Sequence, residues 1–217
     1  MSSSLVEVDP WEAVVIIDNE VDSMSWIAPN TIDVSGRFPD MMMSQSKSFA
    51  VGEDSIKVMP MEAMCCGAHG LSVLVTAPEV GVKHSVLFGT GPEEEAYERN
   101  AKKLGTDISS VDVLQLSHWH RDHSEDKIYL QTHHCRPPSG SSRVSRLYDR
   151  QQSVSFPADP TFAEIEGVGA TVSKQPAAYT VLDDMFLISG FIPSSALHET
   201  GLKGGIRQDT NKGWEKD

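Results

Sequence analysis

Short apolar runs alternate along the chain with breaks marked by Gly, Pro, Asp and Asn, a pattern of several strands joined by a few helices. Val14-Val15-Ile16-Ile17 is a β-branched run that reads as a buried strand, and it passes directly into Asp18-Asn19-Glu20. Residues 71–76 and 84–88 read as two further strands, and Pro78 and Gly81 between them predict a hairpin. That hairpin ends in Phe88-Gly89-Thr90-Gly91. Pro92 then opens a helix with Glu93-Glu94-Glu95 in its first turn and Lys102-Lys103 before Gly105, charges that oppose the helix dipole. Tyr97 and Leu104 are spaced to face a sheet. After a link over 106–110, residues 111–116 form another mostly apolar strand. The order is α/β, and α/β folds place their sites at strand ends. Asp18 and Asn19 stand at such an end, and they read equally well as the opening of a turn.

The rest of the chain is less regular. Residues 33–54, rich in Ser, Met and Gly around Met41-Met42-Met43, read as a long loop or lid. Residues 124–155 hold Arg136, Arg143, Arg146 and Arg150 among Ser, Gln and Pro, an atypical basic insert of disorder-like composition. It reads as a flexible binding loop or as an altered reading frame. Asp159 as N-cap and Pro160 in the first turn predict a short helix closed by Gly167 or Gly169. Residues 170–172 read as a brief strand, residues 179–182 and 185–188 as a hairpin around Asp183-Asp184, and the chain from Ser194 onward as irregular.

Composition narrows the function classes. A chain of 217 residues with 39% hydrophobic and 23% charged residues is long enough for one domain with a substantial core. A net charge of −13 repels a phosphate backbone, so nucleic-acid binding is not expected. No run approaches the roughly 18 apolar residues of a membrane helix, and no signal peptide opens the chain. Three cysteines, with Cys65 and Cys66 adjacent, are poor disulfide material, so a cytoplasmic location is expected.

The chemistry concentrates in Leu116-Ser117-His118-Trp119-His120-Arg121-Asp122-His123. An extended backbone points His118 and His120 the same way, and Asp122 and His123 follow where the chain must turn. Three imidazoles and a carboxylate in so short a stretch suit a divalent metal such as zinc. A solvated turn at a strand end is the plainer reading, and it leaves the H-x-H-x-D-H order without a reason. His69, before Gly70, could reach the same site or serve as an ordinary loop histidine.

This motif resembles the metal-binding signature of the metallo-β-lactamase superfamily. Together with Val15-Ile16-Ile17-Asp18-Asn19, Ala68-His69-Gly70-Leu71-Ser72 and Val86-Leu87-Phe88-Gly89-Thr90-Gly91, it resembles that superfamily's dihydropterin–ribofuranosylaminobenzene-phosphate synthase-like branch. The resemblance implies a metallo-β-lactamase-like αβ/βα sandwich, with residues 1–217 a single, C-terminally incomplete domain holding the first half and part of the second. It implies that His118 and His120 bind a first metal and Asp122 and His123 a second, zinc foremost, with iron or manganese as alternatives. Asp122 and His69 would be catalytic, and Asp18 and Asn19 would bind substrate. The implied activity is hydrolysis by metal-bound hydroxide, on a phosphorylated pterin-like or other small molecule.

Three departures qualify these expectations. Gly89 stands where the family pattern has aspartate, which would support the metal site through an outer hydrogen bond. No histidine after His123 has a matching context; His198 lies in a predicted loop. Residues 124–155 lack the helix expected after the motif. The alternative is therefore a truncated, catalytically impaired member with weak or no metal binding, prone to self-associate through an uncovered sheet.

Overall fold

A computed structural model describes residues 5–8, 10–22, 25–31, 64–79, 81–118, 123, 161–167, 169–173, 175–193 and 195–196, and the backbone of strands at 47–51, 54–58, 143–145, 154–155, 205–209 and 213–216. In chain order the elements are β1 (Glu12–Ile17), β2 (Lys47–Val51), β3 (Asp54–Val58), β4 (Ser72–Glu79) and β5 (Val82–Phe88). Helix α1 (Glu94–Leu104), a 3-10 turn (Ile108–Ser110) and β6 (Val113–Gln115) follow, then β7 (Arg143–Ser145) and β8 (Val154–Ser155). Helix α2 (Phe162–Gly167), β9 (Tyr179–Val181), β10 (Phe186–Ile188), β11 (Gly205–Asp209) and β12 (Gly213–Lys216) complete the order.

The protein is mixed α/β. Its main sheet has the order β1-β4-β5-β6. β4 runs antiparallel to both β1 and β5, while β6 is parallel to β5. The C-terminal ends of β1, β5 and β6 therefore lie at one end of the sheet, beside the start of β4. Adjacent residues of the central strands serve opposite faces, as strand geometry requires. Leu87 and Leu114 join Ile16, Ile17, Leu74 and Leu116 in a buried cluster completed by Ala96, Tyr97 and Ala101 of α1 and Ile165 of α2. Val86 and Val113 point the other way and pack with Val181, Tyr179, Phe186 and Ile188 of the β9–β10 hairpin. Helices cover one face, and the hairpin covers the β5–β6 part of the other. Val15, on β1, stays 51% exposed.

The predicted strands other than 170–172, and the first helix, are present with shifted limits. Glu93, in extended conformation, is the N-cap of α1, so Pro92 precedes the helix rather than opening it. Glu94 and Glu95 occupy the first turn, Lys102 and Lys103 the last, and Gly105 closes it at φ 68°. α2 starts at Phe162, and Thr161 caps it. The Thr161 hydroxyl accepts from the Glu164 amide at 3.3 Å and the Glu164 carboxylate accepts from the Thr161 amide at 2.8 Å, a reciprocal capping box. Asp159 and Pro160 lie outside the described residues.

Within residues 33–54, read as loop or lid, β2 and the start of β3 form an antiparallel pair. The alternation Ser48-Phe49-Ala50-Val51 had carried that signal beneath a loop-like composition. Residues 170–172 form no strand. β11 and β12 lie in the segment expected to be irregular, and β11 pairs with β7, giving a second four-stranded sheet of order β12-β11-β7-β8. Among the described residues, no helix is long and apolar enough to cross a membrane.

Candidate functional site

The site residues collect where the C-terminal ends of β1, β5 and β6 meet. Asp18 and Asn19 follow β1 directly. The Asp18 side chain accepts from the Asn19 amide at 2.7 Å, and its carbonyl accepts from the Ala68 amide at 3.0 Å. The loop before β4 is thereby laid against the end of β1. The approach is close enough that a Cβ on Gly67 would meet the Asn19 carbonyl oxygen at 2.9 Å. Its outcome is a contact between two of the predicted residues: His69 Nδ1 lies 2.9 Å from Asn19 Oδ1. With the amide oxygen accepting, Nδ1 carries the ring proton and the basic lone pair falls on Nε2.

The second cluster follows β6. His118 and His123 bring their ring centroids to 4.4 Å with a tilt of 55°. Ser117 Oγ is 2.8 Å from His118 Nδ1, which assigns any metal binding by this ring to Nε2. His123 is held through its backbone. Its carbonyl oxygen accepts from both the amide and the hydroxyl of Thr90, at 2.9 and 3.1 Å. His120 and Asp122, the other two predicted metal ligands, lie outside the described residues. Among the described residues, no group of three or more His, Cys, Asp or Glu side chains is placed to hold a metal.

The turn Gly89-Thr90-Gly91 joins the two clusters. Gly89 and Gly91 have φ of 72° and 78°, the left-handed region open to glycine. A Cβ on Gly91 would strike Ile17 Cγ1 at 2.9 Å, so the turn packs against the end of β1. A Cβ on Gly89 would lie 2.3 Å from the Leu71 carbonyl oxygen and 3.6 Å from His123 Nδ1. Gly89 thus sits in a backbone that admits no side chain without displacement. Ser72, fully buried at the start of β4, donates its hydroxyl to the Gly89 carbonyl at 2.9 Å, and Gly89 donates its amide to Gln115 at 2.9 Å.

Thr90 is the residue that sequence reasoning passed over. It is 1% exposed and grips His123 with two donors. A threonine between glycines, just past a buried strand, was the available signal: such a hydroxyl needs an acceptor. Cys65 and Cys66 are free, half-buried thiols. Burial pushes the Cys65 pKa up, with Lys103 partly opposing.

No family model matches the chain. Over 56 residues it is 39% identical to a 7,8-dihydropterin-6-methyl-4-(beta-D-ribofuranosyl)-aminobenzene-5'-phosphate synthase of Methanocaldococcus jannaschii. That match covers 26% of this chain and 19% of the relative's length.

Proposed function

We propose that this protein is a metal-dependent hydrolase of the metallo-β-lactamase type, acting on a phosphorylated pterin-like or other small molecule. The observation that carries the reading is the pairing of His118 with His123, rings 4.4 Å apart, at the end of the sheet that also holds Asn19 and His69. The donor set fits a divalent metal of the zinc class. His118 meets Ser117 on its Nδ1 side, and His123 Nδ1 is a buried nitrogen beside the Gly89 turn. Nε2 of His118 would then coordinate, with His123, His120 and Asp122 completing the set.

A bound metal of this kind makes a water molecule nucleophilic near neutral pH and polarises a phosphoryl or carbonyl oxygen. The chain's own part is positioning. Thr90 fixes where His123 begins, Asn19 holds the His69 ring, and His69 Nε2 is a basic nitrogen suited to accepting a proton at the mouth. Asp18 and Asn19 stand beside it as substrate contacts. The partial likeness to a synthase whose product is a pterin derivative supports the substrate class.

A second reading, an impaired member with weak metal binding, is favoured by Gly89, whose backbone has no room for the aspartate of the family pattern. Elemental analysis separates the two. The purified chain should hold zinc, iron or manganese, and His118→Ala/His120→Ala should not; phosphodiester, lactone and pterin-phosphate substrates then follow. An unmutated chain that holds no metal selects the second reading.

A further inference from the structure

Asn100 lies in the middle of α1, on the stripe of the helix that faces the core, and is 1% exposed. A polar side chain there must find partners inside the protein, and this one reaches both strands of chain that meet at the Asn19–His69 contact. Its Nδ2 donates to the Ile16 carbonyl at 2.9 Å and to the Cys66 carbonyl at 2.8 Å. Its Oδ1 accepts from the Cys66 amide at 2.9 Å.

These three bonds use both protons of the amide and its oxygen. Ile16 is three residues before Asn19, and Cys66 is three residues before His69. The clamp therefore grips both arms at the same distance from the atoms they bring together. Beyond it the arms are joined by the Ala68 amide to the Asp18 carbonyl, and Gly67 lets the backbones close. α1 itself starts just past the turn that holds His123, so one rigid element fixes both clusters.

We infer that Asn100 is a positioning residue for His69: it sets the spacing of the two arms so that Asn19 fixes the imidazole with its proton on Nδ1. The inference rests on the reading of His69 as part of the active site, but its geometry is testable without metal or substrate. Leucine or aspartate at 100 would fill the same space. Neither could donate to Ile16 and Cys66, and the arms would lose their common anchor.

The test uses the full chain, metal-free, by nitrogen NMR of the imidazole rings. In the unmutated protein His69 should show a protonated Nδ1, and scalar couplings should cross from Asn100 Nδ2 to the carbonyl carbons of Ile16 and Cys66. In Asn100→Asp the His69 Nδ1–H signal should be lost, with the ring moving to the Nε2–H form usual for exposed histidines. Tyr97→Leu, which disturbs the same buried cluster but removes none of the three Asn100 bonds, should leave it in place. An unchanged His69 in folded Asn100→Asp, or an equal change in Tyr97→Leu, overturns the inference. If Asn100→Asp does not fold, absent couplings in the unmutated protein overturn it by themselves. Metal content plays no part in these readouts, so failure of the hydrolase reading would show separately, in the elemental analysis.

Discussion

Thr90 turns two donors on one acceptor: its amide and its hydroxyl reach the carbonyl oxygen of His123 at 2.9 and 3.1 Å. Thr90→Val keeps the shape and the amide bond but removes the hydroxyl. Losing one buried hydrogen bond should cost about 1 kcal/mol. Because the bond orients a proposed ligand, metal affinity should also fall about tenfold. Urea denaturation and a metal titration read the two effects. A lower denaturation midpoint with unchanged metal affinity would make Thr90 a structural residue only.

Aspartate at position 89 should harm this protein. A side chain there meets the Leu71 carbonyl oxygen at 2.3 Å on a backbone with φ of 72°. Left-handed strain alone is on the order of 1–3 kcal/mol, and displacing backbone adds to it. Gly89→Ala and Gly89→Asp should therefore lose similar stability, about 3 kcal/mol or more. A Gly89→Asp variant that is as stable as the parent and binds metal more tightly would contradict this.

The reciprocal cap on α2 predicts coupling rather than two separate losses. Thr161→Ala and Glu164→Ala should each cost about 1 kcal/mol. The double variant should cost clearly less than their sum, since each side chain supports the other's bond. Additive losses in chemical denaturation would show that the two bonds form independently.

Cys65 gives a pH dependence with a definite sign. Burial raises its thiol pKa, with Lys103 and Arg99 opposing and Cys66 adding to the rise. The folded chain then keeps this proton at pH values where the unfolded chain, near its ordinary value of about 8.5, has lost it. The contribution to stability is full below that value and is lost as pH rises through the folded pKa. Cys65→Ser should flatten the alkaline side of the stability curve and leave neutral pH unaffected. Alkylation of Cys65 at neutral pH should be slow for the same reason. Rapid labelling of the folded protein at pH 7 would show that the thiol is not shielded.

Much of the main sheet was legible because its strands are β-branched runs and α1 carries charges suited to its dipole. Boundaries were less so. Pro92 signals a helix start in general, but here extended Glu93 fixes it, and at α2 the spacing of Thr161 to Glu164 closes a capping box. β2 and β3 escaped notice since Ser, Met and Gly around them suggest a loop, while pairing depends on alternation. The sequence motif led to His118 and His123 and to the side of the sheet they share with Asn19 and His69. Asn100 was legible only indirectly. It shares a helix face with Ala96, Tyr97 and Ala101, and a polar residue on an apolar stripe asks what it bonds.

The two-sided burial of β5 and β6 removes a safeguard that most half-exposed strands possess. With Val86 and Leu87, and Val113 and Leu114, all buried, the alternation of apolar and polar positions that fixes a half-exposed strand is missing at the centre of this pair. Alternation therefore gives these two strands little help in choosing an alignment. Polar pins at the two ends must do so. At one end the Asp112 carboxylate accepts from the Ser85 amide at 2.8 Å and lies 3.4 Å from His84 Nδ1, while the Asp112 amide donates to Ser85 at 3.1 Å. At the other, Gly89 donates to Gln115. The alignment that delivers His118 to the mouth is thus written in a handful of hydrogen bonds, and a single lost pin would let the motif arrive one residue out of phase.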